Sequence, residues 1–183
     1  PIIDEIAFVD DLFLDNISGS KGGMELLDES ELESIKSGIK EELVQITGGS
    51  AGNTIFALAR LGTQTSFVGK IGNCASGNFY KASLAEYGGS TQSFKVGNVP
   101  NGKCLSLVTP DGERTMRTSL GAAMTLSADD LSPTDFEGYD HLHIEGFLIM
   151  NKDVLLKALE LAKANHLTVS FDLASFEIVN QFK

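Results

Sequence analysis

Thr47-Gly48-Gly49-Ser50-Ala51-Gly52-Asn53 decides the reading of this chain, with Gly62 and Gly72 following downstream. Three glycines and a serine crowd the start of an apolar helical run, and an asparagine sits just inside it. Glycine lets a backbone approach a ligand closely and adopt angles that other residues avoid. Asparagine both donates and accepts, which suits a polyhydroxylated small molecule better than a phosphate alone. The same pattern also serves a helix start that merely needs flexible residues, because Gly-rich strand-to-helix turns are common.

Working outward, Glu42–Thr47 reads as a strand that ends at the glycines, and Ala51–Leu61 as a helix. Ile55, Leu58, Ala59 and Leu61 form its apolar face, and Gly62 is a natural residue just past its end. Thr65–Ile71 is the next strand, closed by Gly72, and Ser76–Tyr87 the next helix, closed by Gly88 and Gly89. This rhythm predicts an α/β sheet with crossover helices. It then changes. Thr91–Val96, Lys103–Thr109 and Arg114–Ser119 all favour strand, and Pro110-Asp111-Gly112 marks a turn between the last two. A small antiparallel sheet is expected here. Further on, Ser127–Asp130 opens a short helix, His141–Phe147 is a strand, and Asn151 caps an amphipathic helix to about Ala164. Leu167–Asp172 is a strand ending on a carboxylate. Before the glycines, residues 6–9 and 12–14 read as a strand interrupted by Asp10 and Asp11. Residues 15–24 read as loop, and residues 28–41 as an exposed helix with Ser30 and Glu33 as a capping box.

The chain has 183 residues, 42% of them apolar, enough for one domain with a sizeable core. Its 25 acidic residues outnumber 14 basic ones, for a net charge of -11. That balance opposes nucleic-acid backbones and anionic membrane surfaces and fits a small-molecule ligand. Cys74 and Cys104 lack CxxC spacing and read as reduced thiols, with no metal site expected. The expected compartment is the cytoplasm. Nothing near Lys183 resembles a closing element, so the chain reads as the first part of a longer polypeptide.

With these pieces in place the chain resembles the ribokinase-like (PfkB) family of sugar and nucleoside kinases, most of all its bacterial adenosine-kinase-like members. The family signature runs from two glycines through an asparagine to two spaced glycines. Here these are Gly48, Gly49, Asn53, Gly62 and Gly72, with Ile55 replacing the usual small residue. The hairpin Thr109–Thr115 ("TPDGERT"), Leu142–Leu148 ("LHIEGFL") and Ser170–Phe176 ("SFDLASF") add to the likeness. The family's GDD is here Gly72-Asn73-Cys74. The resemblance implies a central, mostly parallel sheet flanked by helices, with a small β-sheet lid over the substrate. Residues 91–119, with the N-terminal strand region near 10–15, would supply that lid, and the rest of 1–183 the substrate-binding core.

It also implies transfer of the ATP γ-phosphoryl group to a primary alcohol, with Mg²⁺. Asp10 would hold sugar hydroxyls, with Asp11 as the alternative. Gly48 and Gly49 would underlie the sugar and hinge the lid. Asn53 would bind a hydroxyl, or else cap its helix. Glu145 would contact the sugar, and Phe147 would pack on a nucleobase or in the core. Arg114 is a candidate stabiliser of the transferring phosphoryl group. Asp172 would face the phosphate side, or cap the following helix. The family's late GAGD motif, which carries the catalytic base, and its NxxE motif do not occur in these residues. The chain on its own is therefore expected to be inactive, with the C-terminal nucleotide-binding part absent. The alternative is a non-catalytic binding protein that kept the sugar pocket. The partner is a small sugar or nucleoside, with no nucleic acid and no membrane, and a homodimer through the lid is an expectation by analogy.

Overall fold

Ile2–Phe8 alternates between covered and open residues: Ile3, Glu5 and Ala7 are buried, whereas Ile2, Asp4 and Ile6 are half-buried. A strand places successive side chains on opposite faces, so this alternation fixes which face meets the core. The computed structural model describes residues 1–174 and 176–182. Among them the strands are β1 (Ile2–Phe8), β2 (Met24–Leu26), β3 (Val44–Gly48), β4 (Gly69–Gly72), β5 (Phe94–Gly97), β6 (Gly102–Val108), β7 (Arg114–Ser119), β8 (His141–Ile144) and β9 (Thr168–Phe171). The helices are α1 (Asp11–Leu14), α2 (Glu29–Ser37), α3 (Ser50–Arg60), α4 (Ala75–Glu86), α5 (Lys152–Ala164) and α6 (Phe176–Phe182). The chain divides into two compact units. The first comprises Pro1–Gly49, Ile71–Tyr80 and Val96–Met124; the second comprises Ser50–Lys70, Lys81–Lys95 and the chain from Thr125 on.

The first unit is built on a five-stranded sheet in the order β2-β7-β6-β1-β3. β1 runs parallel to β6 and antiparallel to β3, and β6 and β7 form the expected hairpin. Asp111 organises its turn, accepting from the Thr109 hydroxyl at 2.6 Å and the Glu113 amide at 3.1 Å. One face of the sheet packs Ala7, Leu105 and Leu107 against Leu14 of α1 and Leu32 of α2. Glu5 lies in this layer at 1% exposure. Its charge is met by Lys36, with Nζ 2.8 Å from Oε2, and by the Gln45 amide at 2.9 Å. Burial opposes the Lys36 charge, but its bonds to Glu5 and Glu33 outweigh this and hold the ammonium above its ordinary range. Lys103 reaches Glu29 at 2.7 Å and Glu33 at 3.0 Å, so α2 is tied to the sheet by ions as well as by Leu32.

Several expectations change here. Residues 11–14 form a helical turn, not a strand of a lid, because Asp10 accepts from the Phe13 amide at 2.8 Å and caps it. Three consecutive apolar residues, Leu12–Leu14, have no strand alternation to oppose that turn. The capping box of α2 is Asp28 with Glu31, two residues earlier than Ser30 with Glu33. Glu33 instead serves Lys36 and Lys103. Residues 91–119 do not form one sheet. β5 pairs with β4, whereas β6 and β7 join β1, β2 and β3 in a mixed rather than antiparallel arrangement. β2, of which only Met24 falls in the expected loop, pairs parallel with β7. The preceding loop is anchored by fully buried Arg117, which donates to the carbonyls of Ser18 (Nε, 2.9 Å) and Met116 (2.9 Å).

The second unit contains the parallel pair β8–β9, joined by α5 as crossover. Val154, Ala158 and Leu161 of α5 pack with Leu131 and Phe136 in its core. Asn151 caps α5 as expected, and its amide also donates to the Leu126 carbonyl at 2.9 Å. α3 and α5 match the expected helices within about a residue at each end, the usual uncertainty of helix boundaries. β8 stops at Ile144, three residues before the expected end, because Gly146–Met150 turns into a short 3-10 helix. Ser175 of the "SFDLASF" segment lies outside the described residues.

Replacing Lys36 with Met would leave the Glu5 carboxylate buried without its counter-charge. The expected loss is about 3 kcal/mol of folding free energy, read from urea denaturation. A loss under about 0.5 kcal/mol would show that Glu5 finds compensation elsewhere.

Candidate functional site

Asp4 projects from the face of β1 opposite to Glu5, beside Ile46 of β3 and Cys104 of β6. Gly48, at the end of β3, lies directly under its carboxylate: an added Cβ would sit 2.4 Å from Asp4 Oδ1. Gly48 must therefore be bare for Asp4 to stand where it does. Its carbonyl is held by the Tyr80 hydroxyl at 3.2 Å. Gly49 follows at φ +87°, a left-handed angle that favours glycine. Among the described residues no protein group donates to the Asp4 carboxylate. Burial pushes this carboxyl above its ordinary value, and the Arg114 guanidinium opposes the rise. Arg114 lies on the same sheet face, exposed, with Nη2 3.5 Å from Met116 Sδ.

Asp10 does not reach the glycines. It is exposed and spent on capping α1. β1 pairs Ile2 with Gly48, and its last residue, Phe8, lies six strand steps, about 20 Å, further on. Asp11 is held by Lys21 at 2.8 Å. The carboxylate over Gly48 is Asp4, which lies outside a first strand begun at Ile6. The signal lay in Ile2–Phe8, where a carboxylate alternates with Ile2 and Ile6 on one face.

In the second unit, Glu145 does not interrupt a strand. It begins the turn after β8, half-buried, and accepts a hydrogen bond from the Ser50 hydroxyl at the start of α3. A negative charge at the first turn of a helix is favoured by the helix dipole. Asn53 lies one turn further along α3, exposed, and among the described residues no protein group engages its amide. It is not the cap of α3, which begins at Ser50. Phe147 is half-buried within the 3-10 turn. Asp172 follows β9, and its Oδ1 accepts from the amides of Gly146 and Ala174, both at 2.8 Å. The structure thus groups Asp4, Gly48, Gly49 and Arg114 in the first unit, and Ser50, Glu145, Gly146 and Asp172 in the second.

These arrangements can be set beside known proteins. The pfkB family carbohydrate kinase profile matches residues 26–177. The chain belongs to this family. It is 25% identical to the guanosine-inosine kinase of Escherichia coli K12 over 187 aligned positions, covering 95% of this chain and 43% of that one. It is 30% identical over 135 positions to the 5-dehydro-2-deoxygluconokinase of Clostridium beijerinckii, covering 69% of this chain and 39% of the relative. The structure resembles the adenosine kinase of Sinorhizobium meliloti with a TM-score of 0.87 and 29% identity, covering 99% of this chain and 56% of that one. The pfkB fold is therefore the fold of this chain, a mixed α/β architecture matching the adenosine kinases. The chain spans about half the length of these relatives, or less.

Among the described residues no three His, Cys, Asp or Glu side chains gather where they could hold a metal ion. The Mg²⁺ that kinases of this family imply thus has no fitting ligand set among the described residues. No described helix is long and apolar enough to cross a membrane.

The raised carboxyl of Asp4 has a consequence for stability. Its protonated form is favoured in the folded state, so its contribution is fully present below the ordinary carboxylate value and lost as pH rises through the raised one. Asp4→Asn is therefore expected to raise the thermal midpoint at about pH 7, with the gain shrinking as pH falls towards about 4. Calorimetry across that range checks it; a variant less stable at neutral pH would contradict it.

Proposed function

We propose that this chain is the acceptor-binding and lid portion of an ATP-dependent kinase that phosphorylates a primary hydroxyl of a sugar or nucleoside. The observation that carries the reading is Asp4, a half-buried carboxylate with no donor among the described residues, set over a glycine that leaves room for it. Such a group is held at a cost in desolvation and is satisfied by a ligand that brings hydroxyl donors. Asn53 offers an unengaged amide on the first turns of α3, and Glu145 a further acceptor. The carboxylate on the first unit, and separately the amide and carboxylate on the second, are each groups that pair with hydroxyls.

In this reading the five-stranded sheet of the first unit is the lid, with the Asp4 face turned to the acceptor. Phosphoryl transfer rests on positioning and on offsetting charge rather than on covalent catalysis. Arg114, exposed and on the Asp4 face, is suited to offset charge on the transferring group. ATP supplies that group. Family membership supports a kinase, and relatives named for nucleosides and for a sugar acid support the acceptor class.

The full-length protein is expected to consume ATP with at least one of adenosine, inosine, ribose and fructose. No turnover with any of them by a folded protein would reject the enzyme reading. Asn53→Ala is expected to raise the acceptor KM by about three- to tenfold, the worth of one hydrogen bond, with an unchanged circular dichroism spectrum. Unchanged acceptor kinetics would make Asn53 structural only.

A further inference from the structure

β8 and β9 run parallel, so the turns that follow them emerge together at their carboxyl ends. Open α/β sheets bind ligands at that end. Glu145 begins the turn after β8, and Asp172 begins the turn after β9.

Asp172 holds the main chain on both flanks of Glu145. Its amide donates to the carbonyl of Ile144 at 3.1 Å, just before Glu145. Its Oδ1 accepts from the amide of Gly146 at 2.8 Å, just after it. The same Oδ1 accepts from the Ala174 amide at 2.8 Å, which folds the second turn back against the first. Two features show how closely the turns meet. Ala174 takes φ +55°, a left-handed angle uncommon for a residue with a Cβ. A Cβ on buried Gly146 would lie 2.5 Å from the Asp172 carbonyl oxygen and 2.8 Å from the Ala174 nitrogen. The far end of the Glu145 side chain is fixed separately, by the Ser50 hydroxyl. Oδ2 of Asp172 takes no part in the bracket: it faces His143 Nε2 at 3.5 Å, beyond hydrogen-bond length.

We propose that Asp172 is a positioning residue: by bracketing Glu145 it holds that carboxylate in place for the acceptor, and it does not itself meet the transferring phosphoryl group. The role for the acceptor rests on the kinase reading of Glu145; the bracket does not. The work falls to one oxygen that accepts two amides, not to negative charge. Asparagine presents the same oxygen at the same place, whereas a group that acted on phosphate or a cation by its charge would fail as an amide. Among the described residues Oδ1 meets turn amides, not the first amides of α6, so it does not serve as the cap of that helix.

Amide hydrogen exchange followed by NMR in the full-length protein tests the bracket without a substrate. The Gly146 amide is expected to be protected in the wild type and in Asp172→Asn, and at least about tenfold less protected in Asp172→Ala. Acceptor kinetics test the role. Asp172→Ala is expected to raise acceptor KM about tenfold with kcat within about threefold, and Asp172→Asn to keep KM within about threefold of wild type. With Glu145→Ala already in place, Asp172→Ala is expected to raise KM no further, because it acts through Glu145. A loss of kcat shared by the Asn and Ala variants, an Asn variant as impaired in KM as the Ala variant, or a Gly146 amide that exchanges freely in the wild type would overturn the proposal. If Asp172→Ala fails to fold, Asp172→Asn and the wild-type Gly146 amide still decide it. Absence of turnover in the wild type would reject the kinase reading, and the acceptor role with it, while the exchange result decides the bracket.

Discussion

Two adjacent carboxylates facing opposite sides of one strand set the terms for the first unit. The pleat of β1 sends Glu5 into a layer of Ala7, Leu105 and Leu107 and sends Asp4 to the other face. Glu5 is matched by Lys36 and Gln45, so its charge fastens α2 to the sheet. Among the described residues Asp4 has no such match. A one-residue slip of β1 would exchange them, burying the unmatched carboxylate and exposing the matched one. Neighbouring residues of the same charge therefore serve different ends: one holds the fold, and the other is the ligand group of the kinase reading proposed above.

The glycines make sense in the same frame. Gly48 is not bare to give the chain freedom; it is bare because a carboxylate occupies the place of its side chain. Gly49 then turns the chain from β3 into α3 at a left-handed angle. The second unit repeats the theme with backbone amides. Asp172 gathers two of them, and the Ser50 hydroxyl meets Glu145, so the turns that follow β8 and β9 are held by side chains as well as by ladder hydrogen bonds.

Periodicity carried the helices well, since α3 and α5 show their apolar stripes and caps in local sequence. The glycine–asparagine pattern also pointed to the family that the chain belongs to. Sheet partners were less legible. Nothing in Phe94–Gly97 says that it pairs with β4 while Gly102–Val108 pairs with β1, because pairing depends on contacts far along the chain. The family resemblance points to Asp10 as the sugar-holding aspartate, but an aspartate just after an apolar run also suits a helix cap, which is the role it has here. Asp4 was hidden by the late start given to the first strand.

Arg117 ends up reading main-chain oxygens. Its guanidinium takes the carbonyls of Ser18 and Met116, with that of Gly23 at 3.4 Å, and lies 3.9 Å from the Glu25 carboxylate of β2; among the described residues it makes no hydrogen bond to a side chain of the loop. Such an anchor is blind to most of the residues it secures. Gly19 is an exception, because an added Cβ there would come within 2.6 Å of the guanidinium. Across related proteins this stretch should therefore tolerate wide drift in identity while resisting insertions and deletions, since length, more than composition, keeps its carbonyls within the arginine's grasp.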